Sequence, residues 1–333
     1  PEIEVARAVS RRLKVPGAIE MIPLVDDCVK LIGVRCENDC PLVNTPLRQL
    51  TELFPDLNIV IVGLMRDSKP MVPTADDHMV PGDEVYFVVD SDQVTRAMAA
   101  FGHEEREARR LLIFGGGNIG LFLAQAIEKE HDWVKAKIIE ADKERAEQIS
   151  GMLENTMIIN GDVLDPEILE EANISQTETV VAVTNDDETN ILASLLAKRY
   201  GCKRAITLIN TGTYEPLISS LGIDVVVSPR NITISTILQY VRRGRIHSVH
   251  TLREGFGELI EAEALETSPL VGEPLRDLDL PDNLRIGAIL RNGVYVKPTG
   301  QTKIRAKDRV VIFAAAAAVR HVEQMFRVSL EFF

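Results

Sequence analysis

Long apolar runs are missing from this 333-residue chain. No segment approaches the ~18–20 uninterrupted apolar residues that a membrane-spanning helix requires, so any membrane role has to be indirect. Basic charge is also scarce. With 37 Lys and Arg against 50 Asp and Glu, the formal net charge is −13. That balance argues against a nonspecific nucleic-acid binder, because neutralising phosphates takes a basic face. The one basic run, Arg242, Arg243 and Arg245, reads as a solvated helix end. Cysteine is limited to Cys28, Cys36, Cys40 and Cys202, with no C-x-x-C pattern. Cys36 and Cys40 are close but lack the His or Cys neighbours that metal ligation needs. All four read as reduced thiols of a cytosolic protein, and no metal site is expected. An initiator methionine and a signal-peptide pattern are absent at Pro1, and the chain reads as a fragment.

What is present is the composition of a soluble globular protein, 45% apolar and 26% charged. The length suits two to three domains. An internal repeat orders the chain. Pro41-Leu42-Val43-Asn44-Thr45-Pro46-Leu47-Arg48-Gln49-Leu50 matches Pro269-Leu270-Val271-Gly272-Glu273-Pro274-Leu275-Arg276-Asp277-Leu278 at an offset of 228. The match continues at an offset of 225, with Arg66 opposite Arg291, Pro73 opposite Pro298 and Asp83 opposite Asp308. Coincidental turn chemistry around prolines does not keep later positions aligned. Each copy reads as a small α+β unit: a strand, the Pro-Leu loop with a short helix, two or three strands, and a closing helix. The closing helices are expected at Ser91 to Phe101 and Ala315 to Phe326, the second aided by the helix-favouring run Ala314 to Ala318.

Between the copies, residues 110 to 228 alternate strand and helix, the pattern of a parallel α/β sheet. Strands are expected at 110–114, 135–140, 156–160, 179–183, 204–209 and 224–227, and helices at 118–129, 143–153, from Asp165, 187–200 and 214–221. Six such strands predict a doubly wound Rossmann sheet. A further helix, Asn231 to Arg242, leads into the second small copy. At the offset of 228, Pro229 falls on Pro1. The chain is therefore expected to begin where a first Rossmann unit would have ended, and the natural protein is expected to be a tandem duplication. The expected division is 1–20 as a residual crossover helix, 21–103 and 246–333 as the small domains, and 110–245 as the nucleotide-binding domain.

Gly115-Gly116-Gly117-Asn118-Ile119-Gly120 fits G-x-G-x-x-G between a predicted strand and helix. The bare pattern is weak, and its context gives it weight. Gly115 permits the tight turn, Gly117 lets the backbone approach a pyrophosphate, and Gly120 allows close packing, while the helix N-terminus offers N–H groups to phosphate. Glu140 ends the second strand, 20 residues on. An acid there accepts hydrogen bonds from an adenosine ribose and repels a 2′-phosphate, favouring NAD(H) or an adenine nucleotide over NADP(H); it can also be merely solvated. Gly161 and Asp162 after the third strand, and Thr184 and Asn185 after the fourth, face the same cleft, with Asp162 placed to meet an adenine amino group. Asp186, Asp187 and Glu188 read as helix-start carboxylates, with a ligand or cation contact as the alternative.

Recognisable catalytic machinery is lacking. Tyr-x-x-x-Lys is absent, since Tyr200 is followed at that spacing by Arg204 and Tyr240 by Gly244. Of six histidines only His131 lies in the Rossmann segment, at the far end of the first helix; His78, His103, His247, His250 and His321 lie elsewhere. Only His247 and His250 have any ligand-like spacing, and a surface role suits them better. No catalytic residue is expected, and a Rossmann NAD-dependent oxidoreductase stands as the alternative to a sensor.

These residues resemble the RCK/KTN family of potassium-conductance regulators, in the tandem form of the TrkA group from bacterial Trk uptake systems. The resemblance rests on Gly115 to Gly120 after Arg110-Leu111-Leu112-Ile113, on Ile138-Ile139-Glu140 with Arg145 following, on Gly161-Asp162-Val163 with Leu169, on Thr184 through Asn190, and on the two Pro-Leu-Val repeats. It implies a nucleotide site built from Gly115, Gly117, Asn118, Ile119, Gly120, Glu140, Ala141, Asp142, Arg145, Gly161, Asp162, Thr184 and Asn185. The implied ligand is NAD(H), with ATP or ADP as further candidates. It also implies a homo-oligomer, dimer or tetramer, docked on an integral-membrane Trk potassium channel subunit of the TrkH/TrkG type at the cytoplasmic face of the inner membrane. The helix Asn231 to Arg242 is implied as the dimer contact, with Pro1 to Leu13 as its orphaned twin.

Overall fold

Alternating apolar residues and short turns set the first elements of the computed structural model, which describes residues 2–131, 133–214, 218, 221–241, 246–252 and 255–325. Helix α1 (Glu2–Leu13) is followed by strands β1 (Ala18–Leu24) and β2 (Val29–Arg35), helix α2 (Leu47–Leu53), β3 (Ile59–Arg66), β4 (Lys69–Met71), β5 (Glu84–Asp90) and α3 (Val94–Ala100). The Rossmann segment runs β6 (Arg110–Phe114), α4 (Asn118–Glu130), β7 (Lys135–Glu140), α5 (Lys143–Ser150), β8 (Met157–Asn160), α6 (Pro166–Glu171), β9 (Thr179–Ala182), α7 (Asp187–Arg199), β10 (Arg204–Leu208) and β11 (Val225–Val227). Helix α8 (Pro229–Val241) precedes β12 (Ile246–Thr251), β13 (Gly257–Glu263), β14 (Leu284–Arg291), β15 (Val294–Val296), β16 (Arg309–Ala315) and α9 (Val319–Met325).

The chain divides into two compact units, residues 1–19 with 105–232, and residues 20–104 with 233–333. The first holds a six-stranded parallel sheet in the order β11-β10-β9-β6-β7-β8. The order reverses beside β6, which is the doubly wound arrangement, and it places the cleft at the carboxyl end of that strand. β6 and β9 are almost wholly buried, as strands covered on both faces must be. Asp165 caps α6 from the residue before Pro166, its side chain accepting from the Glu167 N–H as the Asp-Pro start predicts. Helix α1 buries Val5, Ala6 and Val9 in the same core as Leu121, Leu123 and Ala124 of α4. The turn after α1 is tied down by Arg204, whose guanidinium donates to the carbonyls of Arg12 at 3.2 Å and Ala18 at 2.6 Å.

The second unit contains both small copies. Their strand orders correspond one for one, β1-β2-β5-β3-β4 and β12-β13-β16-β14-β15. Each has a bulge in its third strand, between Ile61 and Gly63 and between Ile286 and Ala288. The two bulges meet a neighbour at close range. A Cβ on Gly63 would lie 2.5 Å from Phe256, and one on Gly287 would lie 2.7 Å from Val88. The Phe256 ring bridges the copies, 5.0 Å from both Tyr86 and Phe313. Arg309 adds an ion-pair cluster with Asp26 and the buried Glu261, and Glu261 also accepts from the Val25 N–H at 3.0 Å.

Several expectations need correction. Ala314 and Ala315 end β16 instead of starting a helix, because Ala314 pairs with Glu258 and Leu284 in the sheet and is fully buried. Tertiary pairing overrides alanine's helix preference there, and α9 begins only at Val319. The second Pro-Leu loop closes on a single 3-10 turn, Leu275–Asp277, where the first carries α2. Each copy has five strands, so the expected one plus two or three was too few. The expected helix at 214–221 falls largely outside the described residues, as do Arg242, Arg243 and Arg245.

Candidate functional site

The parallel register brings four strand ends to one edge. Phe114 pairs with Ile139 and with Ala182, and Glu140 pairs with Asn160. The loops that follow are stitched together by backbone bonds, from Gly115 N–H to the Ile139 carbonyl (2.9 Å), Gly161 N–H to the Glu140 carbonyl (3.0 Å) and Val183 N–H to the Phe114 carbonyl (2.9 Å). The candidate residues Gly115, Ala141, Gly161 and Thr184 therefore sit side by side along the sheet edge.

Three glycines of the motif answer to different constraints. Gly115 takes φ +102°, in the left-handed region, with the Thr184 backbone 3.0 Å from where a Cβ would stand. Gly120 allows α4 to approach the loop: a Cβ there would lie 2.1 Å from the Gly115 carbonyl oxygen. At Gly117, the residue before α4, a Cβ would meet nothing within 4 Å. The backbone is thus closely packed at 115 and 120, and open at 117, above the unpaired N–H groups of the first turn of α4.

Glu140 and Arg145 brace that loop. The Glu140 carboxylate accepts from the Gly116 N–H at 2.6 Å and, with its other oxygen, from the Asp142 N–H at 2.9 Å. A carboxylate has about four acceptor positions, so capacity remains for hydroxyl donors of a ligand. Arg145 donates from Nε to the Gly116 carbonyl at 2.8 Å, and its other nitrogens reach Asn118 at 3.3 Å and Gln148 at 2.7 Å. Asp142 caps α5 through the Arg145 N–H at 2.8 Å. Asn160 donates to the carbonyls of Glu140 and Ala141, fixing the turn between β7 and α5. Ile119 lies in the first turn of α4 and packs on the unit's core, and Asn118 is exposed beside it.

The remaining candidates are less tightly joined. Asp162 is exposed and turns back to accept from the Leu164 N–H at 2.9 Å. Asn185 is exposed. Asp186 caps α7, and hydrogen bonds from Thr189 hold its carboxyl below the usual range. Asp187 does otherwise: it is buried and accepts from the N–H groups of Asn210 and Thr211, locking the loop after β10. Glu188 accepts from the Tyr214 hydroxyl at 2.6 Å, which raises that phenol.

The sequence reading assigned no role to Asn190. Fully buried, it accepts from the Thr184 N–H (2.9 Å) and hydroxyl (2.7 Å) and donates to the carbonyls of Thr184 and Leu208 (3.1 Å each). It fixes the Thr184 loop against Gly115. The available signal was an amide on the buried stripe Asn190, Ala193, Ser194, Ala197 of α7, since a buried amide must find partners. Among the described residues, no group of three or more His, Cys, Asp or Glu is arranged to hold a metal ion, and no helix is long and apolar enough to cross a membrane.

A Rossmann sheet with a glycine loop at its switch point, on one chain with two copies of a small antiparallel sheet, defines the RCK class of fold. The GsuK RCK domain superposes with a TM-score of 0.54 at 16% identity, covering 97% of this chain and 69% of its own. The GsuK channel bound to NAD does so with a TM-score of 0.52, covering 97% and 57%. The TrkA-N domain family matches residues 111–229, and the TrkA-C domain family matches residues 31–102 and 259–327. The Trk system potassium uptake protein TrkA of Azorhizobium caulinodans is 51% identical over all 333 residues, which span 73% of that protein. Its counterpart in Vibrio alginolyticus is 37% identical over 99% of this chain and 72% of its own length. The chain belongs to the TrkA family of Trk system potassium uptake proteins.

Proposed function

We propose that this chain is a non-enzymatic nucleotide sensor that gates potassium uptake. NAD(H) is its preferred ligand, with ATP and ADP as further candidates. One observation carries the reading: the open backbone at Gly117, at the start of α4, is flanked by Glu140 and Arg145. In this reading a pyrophosphate lies over Gly117 and the α4 N-terminus, with Asn118, Ile119 and Arg145 beside it. Glu140 takes the ribose hydroxyls through its remaining acceptor positions and repels a 2′-phosphate. Ala141, Asp142, Gly161 and Asp162 border the adenosine, and Thr184 and Asn185 border the other end. Gly115 and Gly120 hold the loop in shape. The GsuK channel of the same fold bound to NAD makes NADH the first ligand to test.

The sensor acts on an integral-membrane Trk channel subunit of the TrkH/TrkG type, as part of a homo-oligomer on the cytoplasmic face of the inner membrane. Residues 1–20 stand as a crossover helix, 21–103 and 246–333 as the C-type domains, and 110–245 as the N-type domain. A ligand shifts such an assembly only by binding one of its states better, with coupling of about 1–3 kcal/mol per site. Calorimetric titration with NADH, NAD⁺, ATP, ADP and NADPH tests the site. Micromolar binding of NADH or ATP with much weaker NADPH is expected, and silence toward all five overturns the reading. Turnover of NADH with a carbonyl substrate would instead favour an oxidoreductase.

A further inference from the structure

We propose that Cys36 and Cys40, in the loop after β2 of the first small copy, form a dithiol that a hydroperoxide oxidises to an intrachain disulfide. The two sulfurs stand 3.9 Å apart, with the Cys36 thiol donating toward Cys40. Both cysteines are free and buried. The backbone around them is already fixed. Cys36 donates to the Asp83 carbonyl and accepts from the Gly82 N–H, both at 2.8 Å, and the Cys40 N–H reaches the Glu37 carbonyl at 3.2 Å. Closure to a sulfur–sulfur bond of about 2.05 Å therefore asks for movement of side chains along a short loop.

The second copy supplies an internal control. At the offset of 228, Ala264 replaces Cys36 and Ser268 replaces Cys40. The backbone bonds persist there: Ala264 N–H to the Asp308 carbonyl (2.9 Å), Lys307 N–H to the Ala264 carbonyl (2.8 Å) and Ser268 N–H to the Leu265 carbonyl (3.0 Å). The turn thus forms without sulfur, and the thiol pair is an addition peculiar to one copy.

The pair is also asymmetric. The hydrogen bond from Cys36 draws the Cys40 thiol down against the effect of burial, and the N–H groups of Leu42 and Val43 and the charge of His103 assist. The same hydrogen bond, with burial, pushes Cys36 up. Cys40 is then the thiolate nucleophile and Cys36 the resolving thiol. The Cys40 thiolate attacks one oxygen of hydrogen peroxide, breaking the O–O bond and releasing hydroxide, and becomes a sulfenic acid. The Cys36 sulfur then attacks the Cys40 sulfur and expels its oxygen, which leaves as water with the Cys36 proton. Across both steps, two thiols lose two hydrogens and one peroxide becomes two waters.

The test treats the whole chain with hydrogen peroxide near neutral pH, alkylates it after denaturation and maps each cysteine by peptide mass spectrometry. The expected result is loss of two hydrogens on the peptide carrying Cys36 and Cys40, reversed by dithiothreitol, with Cys28 and Cys202 still alkylated. In Cys36→Ala, Cys40 loses the hydrogen bond that draws it down, so it should react more slowly than in the parent, stop at the sulfenic acid and be trapped by dimedone. The double variant Cys36→Ala with Cys40→Ser, which installs the second copy's residues, should fold and lose the signal. Full alkylation of Cys36 and Cys40 after treatment, or oxidation of Cys28 ahead of them, overturns the proposal.

Discussion

The Glu140 carboxylate reaches across from the end of β7 to accept the Gly116 N–H at 2.6 Å, so one side chain both shapes the glycine loop and borders the cleft beside it. Glu140→Ala is therefore expected to weaken NADH binding by about 1–3 kcal/mol, the range for losing a charged hydrogen bond, or roughly 5- to 150-fold. Glu140→Gln, which keeps one acceptor oxygen, should lose less and should discriminate less against NADPH. Calorimetry on the three proteins measures this. Affinity for NADH unchanged in Glu140→Ala would remove this carboxylate from the site.

Gly117 and Gly120 separate folding from binding within one motif. A Cβ at 120 meets the Gly115 carbonyl oxygen at 2.1 Å, a backbone atom that cannot step aside, so Gly120→Ala should cost at least ~2 kcal/mol of stability. At 117 the backbone is at φ −61°, which alanine adopts freely, and the added methyl faces open space. Gly117→Ala should stay within ~0.5–1 kcal/mol of the parent in urea denaturation. It should also bind NADH at least ~10-fold more weakly, because the methyl occupies the path of the pyrophosphate. Normal NADH binding by Gly117→Ala would mean that no phosphate passes over this residue.

Much of this was legible in the sequence, where the chemistry is local. The G-x-G-x-x-G spacing, the acid 20 residues on and the strand–helix alternation each depend on neighbours along the chain. The repeat was legible because its prolines and its Arg–Asp pair keep their spacing. What escaped depends on distant partners. Asn190 matters through Thr184 and Leu208, and Asp187 through Asn210 and Thr211, contacts made only once the sheet is assembled. Ala314 was misread for the same reason: its place in β16 is set by strands β13 and β14, which no local propensity reports.

Glu128 ties α4 to the loop before β8, and it gives the clearest pH dependence. Burial pushes its carboxyl up, but hydrogen bonds from the N–H groups of Asn155, Glu154 and Thr156 and from the Thr156 hydroxyl outweigh that and hold it below its usual value. A carboxyl depressed in the folded state contributes fully above its unfolded value, near 4.3, and the contribution fades as pH falls through the lower folded value. Glu128→Gln should thus cost about 1–3 kcal/mol at about pH 7 and progressively less toward about pH 3. Urea denaturation of both proteins at the two pH values reads the difference. A gap that is the same at both would show that the charge contributes nothing.

The two small copies carry one ion-pair network twice. Arg66 grips the buried Asp83 with nitrogens at 2.9 and 2.7 Å and also reaches the His78 carbonyl at 2.8 Å. Arg291 grips the buried Asp308 at 3.0 and 2.7 Å and reaches the Lys303 carbonyl at 2.8 Å. Each Asp also accepts a backbone N–H three residues before it, from Val80 and from Arg305. Removing either carboxylate leaves a backbone donor unpaired and takes from the arginine its charged partner, leaving it the carbonyl of His78 or Lys303. Each of Asp83→Ala and Asp308→Ala should therefore cost about 2–4 kcal/mol, under the fully buried range because the arginines keep some solvent. The sites share no partners, so the double variant should lose the sum to within ~0.5 kcal/mol, provided the two copies unfold together. Urea denaturation followed by circular dichroism gives all three values. If one single variant is neutral while the other is costly, the copies do not bear load alike, and the network is structural in only one of them.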